Sequence, residues 1–263
     1  MDMNKASITR VHDALLGGTE NFAADRAVRD RLVAIDPEFP AAAKDVRAFL
    51  ARAVRLLVRE GRITQLLDCG LFLPIAYNSH VVAQQIVPDC AVVYPTIDPF
   101  ILKEGQNQLA RNDYAHVTDV NISHADRVLA DPVVRAHLDF NRPMGLLHLV
   151  TLHHIPDHDD PWLTMERYID ALAPGSFAMI AHMLDPGPGS ELSDTIGRIG
   201  QVYRAELGTG WPRSAERIRD LLPKLHWLEP GLVPVGDWRP EAPRTGPPGA
   251  MQRLILGGVA YKP

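Results

Sequence analysis

The segment LLDCGLFLPIAYNSH, residues 66–80, decides how this chain is read. Leu66 and Leu67 continue a short apolar run that starts beside Gln65, an acid follows at Asp68, and Gly70 stands two residues later. A buried strand that ends on an acid and turns through glycine is the opening unit of an open α/β sheet. Glycine suits that turn because it accepts positive φ and lets a ligand approach the backbone without meeting a Cβ. Upstream, Ala43, Val46, Phe49, Leu50, Ala53, Val54 and Leu57 recur at three- and four-residue steps, with Gly61 beyond them. This spacing predicts one amphipathic helix over 39–60. Downstream, apolar runs at 91–94, 114–119, 144–152, 176–181 and 253–260 alternate with helical patterns. Strands spaced by helices predict a mostly parallel sheet with helices on both faces.

Proline-rich stretches at 186–189 and 240–249 read as surface loops and not as linkers, so the 263 residues are expected to form one domain. The formal charge of -5 provides no general attraction for polyanions, and nucleic acid is not an expected partner. No segment approaches the roughly 18 to 20 uncharged apolar residues of a membrane span, and the start has no long apolar leader. Neither a membrane partner nor export is expected, and the cytoplasm is the expected location. Cys69 and Cys90 lie in apolar runs without metal-ligand spacing, which predicts reduced structural thiols.

In open α/β sheets a ligand sits outside the carboxyl ends of the strands, which directs attention to 68–74, 95–98, 119–123 and 153–157. Several of the eleven histidines fall at or near such ends. An imidazole beside a substrate moves a proton in the transition state, an effect worth about 10²- to 10⁴-fold. His153 is the first candidate for that work, with Asp157 to orient it, and His154, His182 and His12 are the further candidates. Phe72, Tyr77, Trp211 and Arg213 are expected to line an apolar substrate pocket. His153, His154, His158 and Asp157 could ligate a metal by residue type, but their spacing is no recognised signature, and no metal is expected. Arg10, Asp13 and Asn21 read as a capped, salt-bridged helix start.

Five segments taken together carry a resemblance: RVHDALLGGTENFAADR at 10–26, the 66–80 segment, VVYPTIDP at 92–99, LHLVTLHHIPD at 147–157 and LEPGLVPVGDWRP at 228–240. The chain resembles, over nearly its whole length, an actinobacterial family of S-adenosylmethionine (SAM)-dependent methyltransferases. The resemblance implies a Rossmann-like class I methyltransferase fold, an N-terminal helical lid over residues 1–60 and a core over 61–263. Such a family carries the loop D-I-G-T-G-L-P-T. Asp68, Gly70, Leu73 and Pro74 match it, while Cys69, Leu71, Phe72 and Ile75 depart from it. Thr96 stands where the family has an acid that accepts from the ribose hydroxyls, whereas Asp98 and Asp119 match. His153 and His182 match, His154 replaces an aromatic residue and His12 a tyrosine.

A charge-assisted hydrogen bond is worth about 1.5 to 3 kcal/mol, so loss of the ribose acid implies SAM binding weaker by roughly tenfold to more than a hundredfold. With a bulky Phe72 in the same site, the expectation is a pocket retained but without cofactor. On that reading the protein is a tailoring enzyme of specialised metabolism that performs a non-methylating cyclisation, isomerisation, elimination or pericyclic step on a small molecule. The alternatives are a conventional SAM-dependent small-molecule methyltransferase and a non-catalytic binding or regulatory protein; a homodimer is left open.

Overall fold

The computed structural model describes residues 4–70, 73 and 78–263. Strand β1 (Gln65–Asp68) lies between β2 (Ala91–Thr96) and β4 (Gly145–Leu149), parallel to both, with Leu66 opposite Val92 on one side and Gly145 on the other. Beyond β2 runs β3 (Ala115–Asp119), with Asp119 opposite Thr96, and beyond β4 runs β5 (Phe177–Met183). Strand β8 (Ile255–Tyr261) returns antiparallel along β5 and carries the two-residue strands β6 (His226–Trp227) and β7 (Val233–Pro234). The order is β3-β2-β1-β4-β5-β8-β6, with β7 also on β8. The direction of winding reverses between β1 and β4, and the crevice outside their carboxyl ends is where such a sheet receives a ligand. The mostly parallel sheet is thus present as expected. The two short strands were not anticipated, because two residues leave no periodicity to read.

Successive strand residues point to opposite faces, and both faces are covered, so the strands read as unbroken apolar runs. Leu66, Leu147 and Met179 join one layer with Val46, Phe49 and Leu50 of α3 (Phe39–Arg59). Leu67, Leu146 and Ile180 join the other with Met165 and Ile169 of α8 (Pro161–Ala171). Fully burying one such side chain stabilises the fold by about 1.5–3 kcal/mol. Helix α3 has Pro40 in its first turn and stops at the predicted place. There a Cβ on Gly61 would come within 2.7 Å of both the Leu57 carbonyl and the Phe177 ring.

The N-terminal helices α1 (Ile8–Leu15) and α2 (Ala23–Ile35) are joined by one buried carboxylate. Asp25 accepts hydrogen bonds from the backbone N–H groups of Ser7 and Phe22 and pairs with Arg10 Nε at 2.8 Å. The Arg10 guanidinium also lies over the rings of Phe22 and Phe100. Asn21 Nδ2 donates to Asp13 Oδ2, and a Cβ on Gly18 would collide with that same carboxylate. The expected salt bridge is thus made by Arg10 with Asp25, whereas Asp13 and Asn21 share a hydrogen bond at the other end of α1. Among the described residues no helix is long and apolar enough to cross a membrane.

Candidate active site

The start of α1 and the carboxyl ends of β1 to β4 enclose a cleft of about 440 Å³, within the range of small-molecule sites. Gly70 follows β1 into it, Thr96 to Asp98 follow β2, Asn121 to Ser123 follow β3, and Val150 to Pro156 supply the β4 side. Ser7 and Ile8 come from the start of α1, and Leu207 and Thr209 from the end of α9 (Ser193–Leu207) and just beyond it. Val150 has φ 49, a left-handed conformation rarely adopted by a β-branched residue. Strain of that kind costs about 1–3 kcal/mol and tends to collect at functional sites.

Asp68 does not line this cleft; it is 1% exposed and shapes the turn from behind. Its Oδ1 accepts the Gly70 N–H at 2.9 Å, and its Oδ2 accepts the Ser79 hydroxyl at 2.5 Å. Ser79 in turn contacts the Tyr94 hydroxyl, which also accepts the backbone N–H of His80. Burial pushes the Asp68 carboxyl up to about 6, against the opposing effects of these hydrogen bonds and of Arg47. From α3, Arg47 donates to the Leu73 carbonyl and to Asn78 Oδ1, so both flanks of segment 74–77 are tied to the same helix. Leu71, Phe72, Pro74, Ile75 and Tyr77 lie outside the described residues.

At the end of β2, Thr96 faces the cleft, and its hydroxyl accepts the Asp98 N–H at 3.2 Å. Asp98 Oδ1 caps α5 (Pro99–Leu109) by accepting the N–H groups of Phe100 and Ile101. The other Asp98 oxygen has no protein partner among the described residues and belongs to the cleft wall. Asp119 is exposed on edge strand β3 and is not part of the wall. Its place is taken by Asn121 to Ser123, where Asn121 Oδ1 accepts both the N–H and the hydroxyl of Ser123.

The histidines separate by location. His154 lines the cleft, while His153, 2% exposed, lies behind it. The two follow each other in a 3₁₀ turn (Leu152–His154), with ring centroids 4.3 Å apart and planes tilted by 54°. The Thr209 hydroxyl donates to the His154 carbonyl at 3.1 Å and lies 3.1 Å from His154 Nδ1. A hydroxyl has one proton, so both contacts hold only if Nδ1–H donates to Thr209, which leaves Nε2 as the acceptor of the ring. Burial lowers the His154 imidazole to about 3, which makes it a neutral group at ordinary pH. His153 Nδ1 accepts the Met183 N–H at 3.4 Å, and its ring borders an inner void of about 30 Å³ together with His12. His12 is also lowered to about 3, first by burial and then by Arg47 and His154.

His182 is fully buried, with Nδ1 donating to the Met183 carbonyl and Nε2 accepting from Arg213. Arg213 also donates to the carbonyls of Leu152 and Ile155 and to Asp157 Oδ1, so it holds the His153–His154 turn in place and does not face substrate. Asp157 is held by Arg213 and Arg217 and has no contact with the His153 ring, which removes the orienting role expected of it. The backbone N–H of Trp211 donates to the His153 carbonyl at 2.8 Å, and Trp211 lies off the cleft wall. Thr209, Asn121, Val150 and Asp159 are cleft residues that residue type alone did not single out. Thr209 is 55 positions from the histidine it orients, and no local pattern marks such a pairing. Among the described residues no three His, Cys, Asp or Glu side chains converge as a metal-binding group.

A sheet whose winding reverses beside β1, with a cleft at that point of small-molecule size, has the architecture of class I methyltransferases. The chain belongs to the S-adenosyl methyltransferase family whose model matches residues 1–263. A protein of Thermobifida fusca YX assigned as a methyltransferase is similar at 35% identity and a TM-score of 0.92, over 99% of this chain and 96% of that one. A DUF574 family protein of Streptomyces avermitilis MA-4680 is similar at 28% identity and a TM-score of 0.92, over 100% and 99% of the two chains. A SAM-dependent methyltransferase of Anabaena variabilis, at 12% identity and a TM-score of 0.52 over 83% and 86%, shares the fold. No curated protein matches the chain.

Proposed function

We propose that this protein is a SAM-dependent methyltransferase for a small molecule, with the cofactor along the β1–β2 side of the cleft and the methyl acceptor beside His154. The observation that carries this reading is the cleft itself, which is open at the switch point and lined by Gly70, Thr96 and Asp98. SAM is a sulfonium that joins a nucleoside to an amino-acid end, whose ammonium and carboxylate cancel and leave one net positive charge. Gly70 presents backbone without a Cβ, Thr96 and Asp98 present oxygens for ribose hydroxyls, and no Lys or Arg side chain among the described lining residues repels the cation. These residues fit the cofactor, which supplies an electrophilic methyl group when bound. The lid residues Ser7 and Ile8 exclude water, and His154 Nε2 accepts a hydrogen bond from the acceptor and orients it.

Calorimetric titration with SAM and with its demethylated product, S-adenosylhomocysteine (SAH), tests the reading, and micromolar binding is expected. One observation favours a second reading, in which the fold performs a non-methylating step without cofactor. The Thr96 hydroxyl and Asp98 Oδ1 are already engaged within the protein, which leaves few free acceptors for a ribose. The same titration separates the two, because absence of binding would favour the second.

A further inference from the structure

We propose that the methyl acceptor is the basic amine of a largely apolar small molecule and that Asp159 selects it; this rests on the methyltransferase reading above. The charge of the cleft points that way. Its described lining residues include two carboxylates, Asp98 and Asp159, and no lysine or arginine. Segment 71–77 contains no charged residue, so it leaves that balance unchanged. The guanidinium groups nearby are directed elsewhere, Arg10 to Asp25 and both Arg213 and Arg217 to Asp157. A carboxylate or phosphate would enter against two like charges, whereas an ammonium is drawn in. The two acids lie on different sides: Asp98 follows β2, on the cofactor side, and Asp159 follows the turn that carries His154. Ile8, Val150, Ile155 and Leu207 supply apolar wall for the body of the acceptor.

The environment of His154 is an independent argument. Its Nδ1–H is directed at a threonine hydroxyl, and among the described residues no carboxylate partner stabilises an imidazolium there. A hydroxyl acceptor needs a capable base as it attacks; an amine attacks with its own lone pair. The bound ammonium first loses one proton to water at Asp159, which is exposed and has Oδ1 3.7 Å from His158 Nε2. The neutral nitrogen then forms the N–C bond as the S–C bond breaks and its electron pair stays on sulfur. The methylated nitrogen, now cationic, releases its second proton to water. His154 Nε2 accepts an N–H hydrogen bond that directs the lone pair.

The test is calorimetry on the SAH-saturated protein with three probes of similar size: phenethylamine, 2-phenylethanol and 3-phenylpropionate. Phenethylamine is expected to bind at least about tenfold more tightly than 3-phenylpropionate. Asp159→Asn is expected to remove most of that ratio while SAH affinity stays the same. Equal or tighter binding of the carboxylate, persistence of the ratio in Asp159→Asn, or no binding of any probe to protein that takes up SAH would each overturn the proposal. Protein that takes no SAH but keeps an Asp159-dependent amine preference would refute the methyltransferase reading and leave the charge selection standing.

Discussion

His154 and Thr96 show how far a single position decides chemistry in this cleft. His154→Ala is expected to lower kcat about 10²-fold, the order of loss when a reacting group is misplaced by about 1 Å, because the acceptor loses the hydrogen bond to Nε2 that orients its lone pair. SAH affinity should be nearly unchanged, so a parallel loss of SAH binding would mean that the ring supports the cleft and not the reaction. Thr96→Asp restores a charged acceptor at the end of β2 and should raise SAH affinity about tenfold; calorimetry that shows no gain would place the ribose elsewhere. The residue types needed for both arguments are visible in the sequence. The choice of His154 over His153 was not, because it depends on the phase of a 3₁₀ turn, in which His154 borders both the cleft and the void behind it while His153 borders the void alone. Asp68 has a similar lesson: as the acid before the glycine it reads as a cofactor ligand, yet it spends its oxygens on Gly70 and Ser79.

Among the elements, the strands that cross the core and α3 were legible, because burial on both faces or one face imposes a period that survives in the sequence. The antiparallel return through β8 and the short β6 and β7 were less so, since their partners are distant in sequence and their pairing is decided by the sheet edge they complete. The lid lies between these cases. Its helices α1 and α2 were expected from the family resemblance and not from periodicity, and what fastens them is the single carboxylate of Asp25, engaged with Arg10 and two backbone N–H groups. Asp25→Ala would leave the Arg10 guanidinium buried and unpaired, a change that typically costs about 3–5 kcal/mol. Urea unfolding should register a loss of that order, and limited proteolysis should cut within α1 and α2 before the sheet. Joint replacement, Arg10→Met with Asp25→Leu, should recover most of the stability, because an apolar pair of similar volume carries no stranded charge. If the double variant is as unstable as the single one, the backbone contacts of Asp25 and not its ion pair hold the lid.

For the whole molecule, the buried histidines set the response to acid. His148 and His182 are fully buried and lowered to about 3, and His153 is held well below its ordinary 6.5, in each case first by burial. These groups stay neutral in the folded protein while the unfolded chain binds protons below 6.5. The stability they contribute is therefore complete above that value and is lost as pH falls toward about 3, at up to about 1.4 kcal/mol per pH unit for each ring. Asp68 acts in the opposite direction: its carboxyl is raised from 3.8 to about 6, so folding gains as pH falls through that window. One carboxyl cannot offset these imidazoles, to which burial adds His12 and His154 at about 3 and His80 at about 4, and the urea midpoint should drop steeply between pH 6.5 and about 5. His148 offers a check, since its ring lies against Tyr168 and does not line the cleft, its one polar contact among the described residues being Nδ1 to the hydroxyl of Thr151 at 3.2 Å. His148→Leu removes one ring that resists protonation and should make the acid slope shallower, whereas Asp68→Asn removes the opposing carboxyl and should make it steeper. A stability profile that stays flat between pH 7 and about 5, or slopes unchanged in both variants, would mean that these rings take up protons in the folded state after all.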